Sequence, residues 1–339
     1  MSILVRHKPV LKPVLEPFCL CRLSGRNGGQ FTLITGASGF VGSHLAADMR
    51  NRNLPIRAIS RSESQGSIKI ESYTPETDWR PYLHNVDTIV HLAARVHVMR
   101  ETEANPLAAF RLANVDSTIN LARQAAKAGV KRFIFMSTIK VNGEETEPGR
   151  PFRNSDPPNP QDPYAISKTE AEAGLWNVAS ETGLEITVIR PPLVYGPGVG
   201  GNFRTLIKWV HHGIPSVFAN VNNKRSLIYV GNLTDFIMHV VAHPEAKNRH
   251  FLVSDGQSVS THQLMDEIAS AEGKKLRSWP LPEIILNMGG RIFGLQAKVQ
   301  RLMTSLEVDD SSTRISLSWH QPHEAQEALR ITTKLQMSL

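Results

Sequence analysis

The sequence predicts an α/β fold, a doubly wound parallel sheet followed by a smaller C-terminal lobe, and three observations carry that expectation. β-Branched runs of strand length at 31–35, 56–60, 86–92, 130–137 and 185–190 alternate with helical stretches at 41–52, 104–128 and 163–182. Such alternation builds βαβ units around a parallel sheet. The first of these strands runs straight into a glycine-rich turn that opens a helix. After Arg190 the alternation weakens and Pro191, Pro192, Gly196, Pro197, Gly198, Gly200 and Gly201 mark a crossing into a second lobe.

Taken in order, residues 1–30 carry Pro9, Pro13 and Pro17, with Gly25, Gly28 and Gly29 just before the first strand, and read as a flexible leader or an over-long start. The prolines interrupt both the apolar run of a signal peptide and the amphipathic helix of a transit peptide. Cys19 and Cys21 have no second Cys/His pair at metal spacing downstream and read as free thiols in a reducing, cytoplasmic setting, with no metal expected. The 339 residues, 41% hydrophobic, suffice for a large core. No apolar run reaches the roughly 18 residues of a membrane span. A net charge of +7 is spread without a basic stripe or interleaved aromatics, which argues against nucleic acid and suits an anionic small molecule.

In the turn after the first strand, glycines fall at 36, 39 and 42, with Ser38, Phe40 and Val41 between them. Gly36 permits a tight turn, Gly39 a close approach of backbone to a pyrophosphate, and Gly42 close packing of helix on strand, so the stretch reads as a dinucleotide site. A tight packing turn without ligand is the plain alternative. The second strand ends in Ser60 and Arg61, where an acidic residue would select NAD. A guanidinium there accepts a 2′-phosphate, so NADP(H) is tolerated or preferred, unless Arg61 is simply solvated. A weaker strand is expected at 67–71. His91, Ala93 and Ala94 close the strand at 86–92; the small residues leave room for a cofactor, and His91 reads as a satisfied structural histidine.

The helix at 163–182 starts on Asp162 as N-cap and Pro163 as first residue and stops at Gly183. It places Tyr164 and Lys168 on one face, a turn apart. A phenol titrates near ~10, and a neighbouring ammonium can bring it towards neutrality, making a base for an alcohol proton. Tyr and Lys at this spacing also occur on ordinary surface helices.

Together these stretches resemble the extended short-chain dehydrogenase/reductases of the NAD-dependent epimerase/dehydratase family, Rossmann-fold enzymes acting on nucleotide sugars. The likeness runs from Phe31 to the end through TGASGFVG, VDTIVHLAAR, FRLANVDST, FIFMSTIKVNG, DPYAISK, VIRPPLVYGPG and RSLIYVGNL. It implies Tyr164 and Lys168 as the catalytic pair, Thr138 as the hydroxyl partner with Ser137 beside it, and Asn114 as the helix asparagine of that active site. Lys168 would also hold the nicotinamide ribose. Asn202, at the start of a helix in the second lobe, Arg225 and Arg301 are implied for the diphosphate of a UDP-sugar. Ile139 and Lys140 stand where dehydratase members carry an Asp-Glu pair, so 4,6-dehydration lacks its general acid. Leu193 replaces a substrate-contacting asparagine.

The resemblance is greatest to a bacterial polysaccharide subgroup, UDP-glucose or UDP-N-acetylglucosamine 4-epimerases, with NADPH-dependent reductases of UDP-4-keto-6-deoxy sugars as the alternative. A non-catalytic NAD(P)-sensing protein and a sterol or flavonoid ketone reductase are the lesser readings. The expected division is a cofactor domain at 31–190 with returning segments near 228–254, and a substrate lobe at 191–227 and 255–339. In the lobe, 264–271 and 324–335 read as capping helices. A homodimer through 104–128 and 163–182 is the expected assembly.

Overall fold

The computed structural model describes residues 30–336 apart from 64–65, 97–104, 293 and 295; the leader, both cysteines and Ala104 lie outside the described residues. The first half follows the expected alternation. Strands β1 (Phe31–Thr35), β2 (Ile56–Ser60), β3 (Ser67–Lys69), β4 (Val86–His91), β5 (Arg132–Met136) and β6 (Glu185–Arg190) are joined by helices α1 (Phe40–Asn51), α2 (Pro106–Arg111), α3 (Ser117–Lys127) and α4 (Pro163–Thr182). The stretch expected as one helix over 104–128 is two. A π-helical turn, Leu112–Asp116, separates α2 from α3 and carries the buried Asn114.

The second half contains β7 (Leu193–Tyr195), α5 (Gly201–His211), β8 (Arg225–Tyr229), α6 (Val230–Ala242), β9 (Arg249–Leu252), β10 (Ser258–Val259), α7 (Thr261–Ala271), α8 (Glu283–Ile292), α9 (Gln296–Met303), α10 (Ser311–Leu317) and α11 (Ala325–Gln336). The large sheet is parallel, in the order β3-β2-β1-β4-β5-β6-β9. Of the stretch expected to return to it, only β9 enters, beside β6. The segment at Ile228 instead forms the centre of a three-stranded sheet, β10-β8-β7.

Period-two alternation explains why the large sheet is covered on both faces. Ile34, Val90, Ile134 and Ile189 point into a core with α1 and α6, through Leu45, Met49, Phe236 and Ile237. Their neighbours Leu33, Ile89, Phe133 and Val188 point the other way, onto Leu121 and Ala125 of α3 and Leu175 and Val178 of α4. Strand order reverses between β1 and β4, so the crevice at their carboxyl ends is where this architecture binds ligands. A third core, with Phe203, Leu206, Leu227, Met265 and Leu329, holds the lobe together.

Candidate active site

The crevice at the strand reversal is a cavity of about 750 Å³, lined by Gly36, Ser38, Gly39, Phe40, Val41, Gly42, Arg61, Ala93, Ala94, Ser137, Thr138, Tyr164 and Lys168. These sequence-predicted residues come from five separate stretches, and the fold brings them to one wall-to-wall space.

The glycine turn is built for a close-fitting group. Gly36 is left-handed at φ +70°, and a Cβ there would stand 2.7 Å from the Ala93 nitrogen. At Gly42 a Cβ would be 2.1 Å from the Gly36 carbonyl oxygen, so helix and turn meet there only without a side chain. Gly39 caps α1 with no side-chain hydrogen bond, which leaves the helix's first amides to the cavity. This open, uncapped cradle fits a pyrophosphate. Tyr73, which sequence reasoning missed, lines it too: its hydroxyl accepts from the Gly36 N–H at 3.3 Å and donates to the Ile59 carbonyl at 3.1 Å. Burial pushes that phenol up to about 12, against the opposing effects of the Gly36 N–H and Arg61.

Ser60 stands apart from the residues that line the cavity. Its hydroxyl is buried, donates to the Ser62 carbonyl at 2.5 Å and meets Ser67 Oγ at 2.9 Å, so it shapes the strand end and does not line the cavity. Arg61 lines the cavity from the exposed side.

At the other end, α4 begins as expected. Asp162 Oδ1 accepts from the Ala165 N–H at 2.6 Å, and Lys140 Nζ reaches Asp162 Oδ2 at 2.5 Å and Glu144 Oε1 at 2.8 Å. The residue standing in the dehydratase glutamate position therefore anchors the first turn of α4. Thr138 follows β5 and caps a short 3-10 turn, accepting from the Lys140 N–H at 3.3 Å.

The Tyr164 phenol departs from expectation. Burial raises it well above its ordinary value and the Asp162 carboxylate adds to the rise. Lys168 is held by other partners: its Nζ donates to the Met136 carbonyl at 2.8 Å, sits 4.3 Å from the Phe135 ring centre, and is itself brought down to about 7 by burial, with Glu172 opposing. At neutral pH the cleft thus presents a protonated phenol beside a lysine near its midpoint.

Lys168 gives a pH prediction. Its folded value lies below the unfolded 10.5, so the folded state carries the full cost of a buried ammonium below pH about 7 and sheds it as pH rises towards 10. Lys168→Met is expected to gain most on the wild type in urea denaturation at pH 6 and to lose that relative gain by pH 9.5. A stability difference independent of pH contradicts the assignment.

Two further residues serve the site from behind. Asn114 Oδ1 accepts from the Arg95 N–H at 2.8 Å, and its Nδ2 donates to the Arg95 carbonyl at 3.1 Å and Ser167 Oγ at 3.0 Å. The implied catalytic asparagine is therefore a clamp between the end of β4 and α4, outside the cavity lining. Ser137 lines the cavity, but its hydroxyl donates to Glu172 Oε1. Glu172 in turn takes two bonds from Arg190, at 3.0 and 2.5 Å, and Arg190 donates to Asn142 Oδ1 at 3.1 Å. His91 is held by Thr35 at 2.8 Å and Thr118 at 3.0 Å, and burial together with Lys168 keeps it neutral at about 3, the structural histidine expected.

The three residues implied for the diphosphate do not line this cavity. Asn202 is exposed within the first turn of α5, which starts one residue earlier with Gly200 as its cap. Arg225 Nη1 donates to the carbonyls of Arg301 and Thr304 at 2.8 and 2.9 Å, closing the carboxyl end of α9. Burial, then the like charge of Arg301, lowers the Arg225 guanidinium. Pro191, Pro192 and Val194 also line the cavity, with His91 and Met136 among others, and the double proline after β6 was the available signal for the first two.

Among the described residues there is no group of His, Cys, Asp and Glu that could hold a metal, and no helix long and apolar enough to cross a membrane. Comparison with known proteins agrees with the geometry. Residues 32–254 match the NAD dependent epimerase/dehydratase family. A UDP-glucose 4-epimerase of Vibrio cholerae is 41% identical over 308 residues, 89% of this chain and 94% of that protein. An Escherichia coli O157:H7 4-epimerase of N-acetyl-α-D-glucosaminyl-diphospho-ditrans,octacis-undecaprenol is 29% identical over 275 residues, 79% of this chain and 80% of its own. The crystal structure of Thermotoga maritima UDP-glucose 4-epimerase with UDP-glucose superimposes with a TM-score of 0.73 over 91% of this chain and 99% of that one; at 21% identity the likeness is one of fold.

Proposed function

Because the chain belongs to the NAD dependent epimerase/dehydratase family, we propose that it is a nucleotide-sugar enzyme acting at C4 of a UDP-hexose, a 4-epimerase. The observation that carries this reading is the convergence of Thr138, Tyr164 and Lys168 on the cavity that also holds the glycine cradle. The 41% identity to a UDP-glucose 4-epimerase across nearly the whole of both chains supports it. In this reading the large sheet carries the cofactor and the lobe around β7, β8 and α5 the sugar nucleotide.

Gly36, Ser38, Gly39, Phe40, Val41 and Gly42 would hold the pyrophosphate of a nicotinamide dinucleotide, Arg61 and Tyr73 would flank its adenosine end, and Lys168 would take the ribose hydroxyls. When bound, that group supplies the hydride acceptor and donor. Tyr164 is placed to take the proton of a C4 hydroxyl when C4 is oxidised and to give it back to the C4 carbonyl oxygen when C4 is reduced; because burial keeps the phenol's own proton on, that proton would first pass to the neutral form of Lys168, a helical turn away, and Thr138 positions the C4 oxygen. Asn114 holds the Arg95 backbone, and Ser137 joins the cavity wall to Glu172. Asn202, Arg225 and Arg301 belong to the diphosphate end. Arg225 lies close enough to Arg301 to feel its like charge, a repulsion that an anion would relieve. A homodimer would be built on the helices of 104–128 and 163–182, here α2, α3 and α4, of which α3 and α4 lie side by side with Gly174 against Ile119.

Arg61 on the cavity wall favours a second reading, an NADPH-dependent 4-keto reductase. One assay separates the two. Purified protein is incubated with UDP-glucose, UDP-N-acetylglucosamine or a UDP-4-keto-6-deoxy sugar, and epimer formation is followed beside NADPH absorbance. Isomerisation with no net NADPH loss is expected. Stoichiometric NADPH consumption on the keto sugar alone overturns the epimerase in favour of the reductase.

A further inference from the structure

We propose that α8 and the segment leading into it form a docking surface for an anionic lipid bilayer, against which the lobe lies without inserting. Trp279, Ile284 and Ile292 are 68%, 73% and 74% exposed, and Ile285 and Met288 are exposed with them. At 100° per residue, positions 284, 285, 288 and 292 share one face of α8. Leu286 and Gly290 lie on the opposite face and are buried. That inner face is already satisfied: Gly290 lets α9 approach so closely that a Cβ would meet Val299 at 3.2 Å. The outer apolar stripe is therefore surplus to the fold's own packing, and stripes of this kind on a surface mark an interaction.

The charges beside it say which kind. Lys274, Lys275 and Arg277 precede Trp279, Arg291 borders the stripe on α8 itself, and Glu283 is the acid that accompanies them between 273 and 292. Lys274 is paired with Glu272 at 2.6 Å, while Lys275, Arg277 and Arg291 are exposed. An apolar helix face carrying an arginine, preceded in the chain by an exposed tryptophan and exposed basic residues, is the pattern of a helix lying in a headgroup region that carries negative charge. A second copy fits worse, because a two-fold contact over this face would set the basic border against itself.

The test uses the full chain and sedimentation with vesicles, one set of phosphatidylcholine alone and one mixed with phosphatidylglycerol. Binding to the mixed vesicles at low salt is expected, about tenfold stronger than to the neutral ones and weakened by added salt. The triple variant Ile284→Gln/Met288→Gln/Ile292→Gln and the charge variant Lys275→Glu/Arg291→Glu should each lose about tenfold in binding with an unchanged thermal transition, since every altered side chain is on the surface. Equal sedimentation of wild type and both variants overturns the proposal. So does a wild type that ignores vesicles but forms a dimer which the triple variant cannot form, which would make the face a contact between copies.

Discussion

Tyr164→Phe is expected to lower turnover by roughly two to four orders of magnitude while leaving the fold and the dinucleotide site intact. The ring sits half-buried at the first turn of α4, edge-on to Phe110 at 6.1 Å between centroids, and phenylalanine preserves that contact. What is lost is the hydroxyl, the group in the cavity that would take the proton of the C4 hydroxyl and return it, and whose surroundings raise it above the ordinary phenol range. The cradle of Gly36, Gly39 and Gly42 is untouched, so cofactor affinity measured by fluorescence or calorimetry should stay within about twofold of wild type, well under the 1.4 kcal/mol that a tenfold change represents. Undiminished turnover in this variant would remove Tyr164 from the chemistry.

The second large effect is on stability. Glu172→Gln is expected to cost roughly 3–5 kcal/mol, because it leaves the Arg190 guanidinium buried without its counter-charge. Both side chains are almost wholly enclosed, at 5% and 4% exposure, and the pair is bidentate. Ser137 loses its charged acceptor in the same step. A second readout separates this from simple loosening. Glu172 is what opposes the fall of Lys168, so the variant's lysine should titrate lower still, and the pH dependence of turnover should move to lower pH. A variant as stable as wild type in urea, with an unmoved pH profile, would show that the network neither holds the floor of the site nor tunes its lysine.

Much of this was legible in the residues themselves because it is local. The cap at Asp162, the proline after it and the four-residue spacing set Tyr164 and Lys168 on one helical face with no tertiary information. Gly36, read as permitting a tight turn, is left-handed at φ +70°, and Gly42, read as allowing a close approach of the helix, has room for no Cβ because the Gly36 carbonyl oxygen would stand 2.1 Å from it. Hidden were the features made by distant partners. Tyr73 reaches Gly36 across 37 residues, and Asn114 ties Arg95 to Ser167 across spans of 19 and 53. The direction of the Tyr164 shift was hidden for the same reason. Spacing shows that an ammonium is near, whereas desolvation depends on what closes around both groups, here Phe110, Phe135 and the Met136 carbonyl. Ser60, read as a ribose contact from its place at a strand end, turned inward because Ser62 and Ser67 offer its hydroxyl partners there.

The central claim is that the hydrogen on C4 of a UDP-hexose leaves and returns within this one cleft. UDP-glucose and UDP-N-acetylglucosamine carrying deuterium at C4 test it directly, with both epimers examined by NMR. The account predicts that the label stays at C4 in substrate and product alike, with none entering from or lost to solvent. Epimerisation accompanied by washout of the label, or no epimerisation of either sugar, would contradict it.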